Sequence, residues 1–126
     1  MSTRVREWSF ARRYDVGDGP WPSEDEATVT YDSDTEKVVV SGVFFDGDTR
    51  WEGCVRQVAY VPAENALRVD VGVVRTGQRF GQAVAQRIHY EVRVEFFGQL
   101  PERTTVRHVD ENEETQFSTT VTRANS

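Results

Sequence analysis

The sequence predicts an all-β fold, an antiparallel, immunoglobulin-like β-sandwich of about seven to eight short strands. The first observation is that residues 88–96 alternate strictly between apolar and polar side chains, and this period of two marks a strand with one buried face. The second is the same alternation over residues 67–73. The third is that turn-forming residues separate all such segments, with no sustained helical period between them. A small β-barrel is the alternative fold.

The two clearest segments predict a specific pattern of burial. One alternating set is expected to be buried together: Leu67, Val69, Val71, Val73, Tyr90, Val92, Val94 and Phe96. The intervening set is expected to be exposed: Arg68, Asp70, Glu91, Arg93 and Glu95. A register slip of one residue would invert both sets. We expect the two segments to form a hairpin or to be neighbouring strands.

The remaining chain divides into shorter strands and two long loops. Six further segments are interpreted as strands: residues 5–10, 27–31, 37–45, 54–61, 104–109 and 116–122. Glycine and proline predict a loop at 14–26, and a second long loop at 75–87 joins the two clearest segments, although 83–87 could extend the strand. Loops of about 12 residues or more are usually functional or disordered. The length of 126 residues predicts a single domain over 1–126.

The charged residues include an excess of acids and almost no lysine. The net charge is −6, and fourteen of the fifteen basic residues are arginine, with Lys37 the only lysine. An acidic surface repels phosphate backbones, so we expect no nucleic-acid partner. Many hydrated carboxylates with almost no lysine resemble the composition of proteins from salt-loving archaea. Without a signal-like or membrane-length apolar run, the expected location is cytoplasmic, with no membrane partner.

Aromatic and arginine residues are the candidate binding groups, because tryptophan, tyrosine and arginine dominate interface hot spots. The predicted binding residues are Trp21, Arg79 and Phe80, which fall in the two long loops. A wider recognition surface would add Trp8, Trp51, Phe97, Arg50, Arg68, Arg93 and Arg107. The alternative is that the tryptophans close the ends of the sandwich while the arginines cover its polar face.

The sequence gives weaker indications of a metal site or a catalytic nucleophile than of a binding surface. Carboxylate pairs in predicted turns could supply oxygens for Ca²⁺: Asp15 and Asp18, Asp32 and Asp34, Asp46 and Asp48. The alternative is that these acids are ordinary turn residues. His89 and His108 are expected at the surface, since a zinc site would need a third ligand such as Cys54. Cys54 is expected to be buried and inert, and we expect no cofactor because nucleotide and hydrolase motifs are absent.

A resemblance covers residues 38–108. It is carried by Val39-Val40-Ser41-Gly42, by Cys54 followed by Tyr60, by residues 65–71 and 90–94, and by Leu100-Pro101. These features resemble a group of small, uncharacterised haloarchaeal proteins expected to be β-sandwiches. Many members have an export signal and a second cysteine near the position of Gly81 or Ala83, and this sequence has neither. The resemblance implies a fold and a saline habitat, with no activity to carry over.

These observations favour a non-catalytic binding or protein-interaction module of a halophilic organism. Two alternatives stay open. One is a metal-dependent or hydrolytic enzyme built from the loops. The other is a structural homo-oligomer that pairs through an exposed edge strand.

Overall fold

The computed structural model describes residues 3–16, 25–44, 51–75, 86–110 and 112–123. Alternating apolar residues and turn residues divide these ranges into eight strands: β1 (Arg4–Val16), β2 (Glu26–Asp32), β3 (Lys37–Phe44), β4 (Trp51–Val61), β5 (Ala66–Arg75), β6 (Gln86–Phe97), β7 (Arg103–Val109) and β8 (Thr115–Thr122). Most predicted strands are confirmed within a few residues. The exception is β1, which extends well past residue 10 into the predicted loop at 14–26.

The strands form two four-stranded sheets. Sheet one has the order β1-β6-β3-β2, and sheet two has the order β4-β5-β7-β8. The all-β sandwich is therefore confirmed, and the described strands do not close into a barrel. All pairs are antiparallel except β5 and β7, which are parallel. The immunoglobulin-like part of the prediction stays a prediction.

The interior lies between the two sheets and contains the predicted apolar set. All eight residues expected to be buried are at most 4% exposed, because period-two alternation directs every second side chain of a strand to one face. The expected adjacency of residues 67–73 and 88–96 is wrong. They belong to β5 and β6, which lie in different sheets, so their apolar faces meet across the interior.

Asp70 is the exception in the set expected to be exposed. Its exposed fraction is 5%, because the parallel register sets it opposite Arg107 on the outer face of sheet two. The Arg107 guanidinium donates from Nε to Oδ1 of Asp70 at 2.8 Å and from an Nη to Oδ2 at 2.5 Å. Arg68 and Arg93 are exposed as expected, whereas Glu91 and Glu95 are half-buried.

The strand ends that border the long connections share one end of the sandwich. Val16 is opposite Gln86 at the β1–β6 pair, and Trp51 is opposite Arg75 at the β4–β5 pair. Phe44 lies at the same end, opposite Ile88. The short turns, β2–β3 and β4–β5, lie at the other end. A functional site at the first end would therefore draw on residues from several strands.

Candidate functional site

The predicted binding residues cannot be placed. Trp21, Arg79 and Phe80 lie outside the described residues. Their role as partner-binding groups stays a prediction.

The acidic pairs divide between the described and undescribed parts of the chain. Asp32 begins the β2–β3 turn, where its Oδ1 accepts the backbone N–H of Asp34 at 3.1 Å and that of Thr35 at 3.4 Å. Hydrogen bonds with Thr35 hold the pKa of Asp32 below its usual range. This is the turn role of aspartate.

The pair Asp46 and Asp48, like Asp18, lies outside the described residues, and the side chain of Asp15 is likewise undescribed. Phe44, the last described residue before that pair, is about 26 Å from the β2–β3 turn, since eight strand residues separate them. Within the described ranges, no three His, Cys, Asp or Glu side chains converge into a group that could hold a metal.

His108 lies in the interior, so the expectation of a surface histidine is wrong for this residue. Its exposed fraction is 1%. Its Nε2 is 2.6 Å from the Tyr90 hydroxyl, and its Nδ1 is 3.0 Å from Oδ2 of Asp25. Each ring nitrogen of His108 therefore has one hydrogen-bond partner, and the tautomer of the ring determines which group donates in each bond. We call this group the interior triad.

Three different elements position the interior triad. His108 shares the inward face of β7 with Val106, and Tyr90 points inward from β6. Asp25 directly precedes β2. Gly42 on β3 leaves room for the tyrosine, because a Cβ there would lie 2.5 Å from the Tyr90 hydroxyl. The alternation through Val106 and His108 was the sequence signal for the buried histidine, whereas Asp25 gave no local signal.

The interior triad is built for structure rather than for nucleophilic chemistry. Burial, reinforced by the charge of Asp25, raises the pKa of Tyr90, so the hydroxyl stays protonated. The ring of His108 is packed between Phe117, at 4.7 Å between centroids, and Phe44, at 5.1 Å. Burial also raises the pKa of the half-buried Cys54 thiol, which fits an inert cysteine.

An exposed group of aromatic and arginine residues lies at the start of β1, and we call it the β1 patch. It consists of Phe97, 43% exposed, with Arg4 and Arg6 on the outer face of sheet one, and of Trp8, 47% exposed, which lies opposite Val94 on the inward side of the same edge strand. The guanidinium carbons of these arginines lie 4.7 and 5.7 Å from the centre of the Phe97 ring. Trp8 therefore does not close an end of the sandwich. Sequence analysis had included Trp8 and Phe97 in the wider surface but had missed both arginines.

The two halves of β1 differ along the edge that faces away from β6. In the second half, Arg12 donates to the backbone oxygen of Gly53 on β4, and the Tyr14 hydroxyl accepts the Gly53 N–H at 3.1 Å. These contacts cover the neighbouring edge of sheet two. Along the first half, residues 4–10, no described strand pairs with this edge. The β1 patch thus borders a free strand edge.

A polar cleft of about 310 Å³ lies on the outer face of sheet two. Its lining includes the paired Asp70 and Arg107, together with Arg56 and Glu113. Arg56 is the extra residue of a bulge in β4, and its Nε is shielded and has no hydrogen-bond partner among the described residues. Since that nitrogen is shielded, it cannot contact a ligand in the cleft.

Comparisons with protein families, with curated proteins and with solved structures gave no match. In the part of the chain that the structure describes, no helix is long and apolar enough to cross a membrane.

Proposed function

We propose that the protein is a non-catalytic interaction module that binds an extended, acidic segment of a partner protein along the free half of β1. The observation that carries the proposal is the β1 patch. Among the described residues, Trp8 and Phe97 are two of the three exposed large hydrophobic side chains. Trp8 lies on the edge strand β1 itself, and Phe97 lies on the next strand, β6, opposite Arg4. Exposed aromatic groups of this kind mark interaction sites.

The backbone supports binding of an extended segment. An unpaired strand edge presents N–H and C=O groups, and a peptide can add to it as a further strand. Residues 4–10 of β1 offer such an edge. Backbone hydrogen bonds would supply affinity, while side chains next to the edge would supply specificity.

The charges support an acidic segment. The guanidinium groups of Arg4 and Arg6 contact the Phe97 ring. Arg6 also interacts electrostatically with Glu7 and Glu95. The positive charge of the two arginines is unusual in a chain of net charge −6. A partner with carboxylates along an extended segment would complement it. Arginine that already stacks on an aromatic ring is well ordered for this contact.

We further propose a saline habitat, supported by the excess of carboxylates and the single lysine. The screening length falls to about 3 Å at molar salt. Under such conditions the ion pairs of the β1 patch would weaken, and the contacts of Trp8 and Phe97 would supply most of the affinity.

The described titratable groups do not favour the enzyme alternative. Tyr90 and Cys54 have raised pKa values, and the His108 ring is enclosed by aromatic side chains. A site made of loop residues would lie outside the described ranges.

The test is calorimetric titration with two capped synthetic peptides. In one, glutamate alternates with valine and threonine, and in the other, lysine replaces glutamate. We expect the wild type to bind the acidic peptide and to bind the basic peptide at least about tenfold more weakly, a difference of about 1.4 kcal/mol. The double variant W8S/F97S should lose the binding.

The matched control is V74S. Val74 is 43% exposed but lies on β5 in sheet two, away from the β1 patch. Equal binding of the acidic peptide by wild type and W8S/F97S, or equal loss in V74S, would contradict the proposal.

A further inference from the structure

Strand β8 forms another edge of the sandwich, and among the described strands this edge has a different chemistry. Strand β8 is the outer strand of sheet two, and its eight residues, Thr-Gln-Phe-Ser-Thr-Thr-Val-Thr, include no charge. The other outer strands of the two described sheets, β1, β2 and β4, all contain charged residues. Charges on an edge strand are a common protection against pairing with another chain. Strand β8 has no such protection.

Burial along β8 shows that its inner face is incompletely covered. None of its residues is buried, and the inward-facing Phe117, Thr119 and Val121 are only half-buried. Phe117 nevertheless stacks on the fully buried His108. One backbone group of β8 already has a contact across the sandwich, because the Tyr31 hydroxyl donates to the Val121 oxygen at 2.8 Å. The other long edge of β8, which faces away from β7, is the edge where a further strand would add.

We propose that β8 pairs antiparallel with β8 of a second copy of this chain, which gives a two-fold symmetric dimer with an eight-stranded sheet. An isologous interface requires a surface that complements itself. A strand without charges meets this requirement even in a protein of net charge −6. With the axis near Thr119, Phe117 of one copy lies opposite Val121 of the other, and an aromatic side chain beside a β-branched one is a favourable cross-strand pair.

The ends of β8 add charge complementarity. Glu113 and Glu114 precede the strand, and Arg123 follows it. Antiparallel pairing brings the start of one strand to the end of the other, so Arg123 of each copy comes next to the acidic turn of its partner. The same arrangement in a parallel pair would bring like charges together. The sequence around β8 thus favours the antiparallel, symmetric dimer.

The experiment combines sedimentation velocity with charge reversal at Ser118, an exposed position close to the proposed axis. The runs use the lowest KCl concentration at which the protein stays folded. Under these conditions the wild type should sediment as a dimer. S118K and S118E should each dissociate at least about tenfold more readily, because the like charges at position 118 of the two copies are then diagonal neighbours on the outer face of the strand pair. Mixing the two variants should restore the dimer, and this rescue distinguishes repulsion from misfolding. T30K, an exposed substitution on the outer face of β2 in sheet one, is the matched control and should stay dimeric.

Cross-linking tests the strand register. In a C54S background, either S118C or T119C should form an intermolecular disulfide in high yield, because facing residues of an antiparallel pair have Cα atoms about 4.5–5.5 Å apart. A wild type that is monomeric at all concentrations would overturn the proposal. So would a dimer that is insensitive to S118K, or one that neither cysteine variant links.

Discussion

Strands β1 and β8 occupy equivalent places, each at the edge of its sheet, but their chemistry is opposite. Six of the thirteen residues of β1 are charged, whereas none of the eight residues of β8 is. Both are β-strands with an inward apolar face. The difference shows that the charges along a strand edge, more than its hydrophobicity, determine what can pair with it. A charged edge suits a partner of opposite charge, and an uncharged edge suits its own copy.

At both edges of the sandwich, a tyrosine of sheet one hydrogen-bonds to the backbone of sheet two, but the two edges differ in the number of such contacts. On the β1 side, Tyr14 from sheet one accepts a backbone N–H of β4, and Arg12 reinforces the contact. On the β8 side, Tyr31 from sheet one donates to a backbone oxygen of β8. Each tyrosine joins the two layers at an edge. The β4 edge is the better covered of the two, since a tyrosine and an arginine both reach it.

The largest expected effect on stability concerns the Asp70–Arg107 ion pair, which joins the two halves of sheet two. Asp70 and Arg107 connect β5 to β7 across the parallel pair, and Asp70 is buried. R107M leaves that carboxylate without its partner, so we expect the free energy of unfolding to fall by about 2–3 kcal/mol. A fully buried pair would cost about 3–5 kcal/mol, but solvent reaches Arg107. Urea unfolding measures the change.

The control is R93M, which removes an arginine whose partner, Glu91, is on the solvent side of sheet one. Its effect should be below about 1 kcal/mol. If R107M and R93M destabilise the protein equally, the Asp70 pair does not hold the β8 side in place.

The second effect concerns the interior triad, which supports Phe117 and therefore the inner face of β8. Y90F leaves Nε2 of His108 without its hydrogen-bond partner, and we expect a loss of about 1–2 kcal/mol in unfolding free energy. The raised pKa of Tyr90 predicts the direction in which stability changes at alkaline pH. The native state keeps the Tyr90 proton that the unfolded chain releases near pH 10, so this contribution to stability declines as pH rises above that value.

Y90F should therefore show a shallower alkaline loss of stability than the wild type. Thermal unfolding between pH 8 and pH 11 measures it. Identical slopes for the two proteins would mean that Tyr90 is not shielded as described.

The sequence predicted burial far better than it predicted neighbours. Alternation identifies the buried face of a strand, and every predicted core residue of 67–73 and 88–96 is buried. It contains no information on which strands pair, so the two segments were expected to be adjacent although they face each other. Pairing depends on contacts between distant segments. The parallel β5–β7 contact is an example, since no local turn specifies it.

The polar sites were harder to predict for the same reason. The hydrogen-bond partners of the buried Asp70 and His108 are distant in sequence, since Arg107 is 37 residues from Asp70 and Asp25 is 83 residues from His108. Neither separation leaves a motif in the sequence. The aromatic and arginine types of the β1 patch were identified as binding groups, but the predicted anchors Trp21 and Phe80 lie outside the described residues. Composition indicates which residue types bind, and topology determines which of them reach the surface together.

Salt should raise the stability of the whole domain. Screening relieves repulsion among the carboxylates of a chain with net charge −6. We expect the melting temperature to increase between dilute and molar KCl. Sucrose, which is excluded from protein surfaces without screening charges, is the control and should produce a smaller rise. A melting temperature that declines steadily with KCl would remove the argument for a saline habitat.

Salt should affect the interactions of the two edges differently. The dimer formed by β8 has few charges, so we expect its dissociation constant to change less than about threefold between 0.2 and 2 M KCl, since screening affects only charged contacts. Binding of the acidic peptide at the β1 patch should weaken over the same range. Sedimentation and calorimetry on one preparation measure both. A dimer that dissociates in salt would show that ion pairs, rather than the uncharged strand, hold it together.

The smallest effect concerns Glu7, the carboxylate within the free half of β1. It lies opposite Glu95 on the neighbouring strand, and a hydrogen bond couples the two carboxyl groups. That hydrogen bond and the charge of Glu95 raise the pKa of Glu7, while the hydrogen bonds from Glu7 and Lys37 lower the pKa of Glu95. The two have opposite consequences for stability. The contribution of Glu7 is lost as pH rises through its raised pKa, and that of Glu95 is lost as pH falls through its lowered pKa.

Because both groups are at the surface, the net change in stability is small, and NMR titration of the side-chain carboxyl carbons is the suitable measurement. We expect Glu7 to titrate above and Glu95 below the ordinary glutamate range. E95Q should return Glu7 toward that range, and E7Q should do the same for Glu95. The raised pKa of Glu7 reduces the negative charge near Arg6 as the pH falls, which favours an acidic partner, while Glu95, with its lowered pKa, keeps its charge. Two carboxyl groups that titrate independently at ordinary values would remove this contribution to the basic character of the β1 edge.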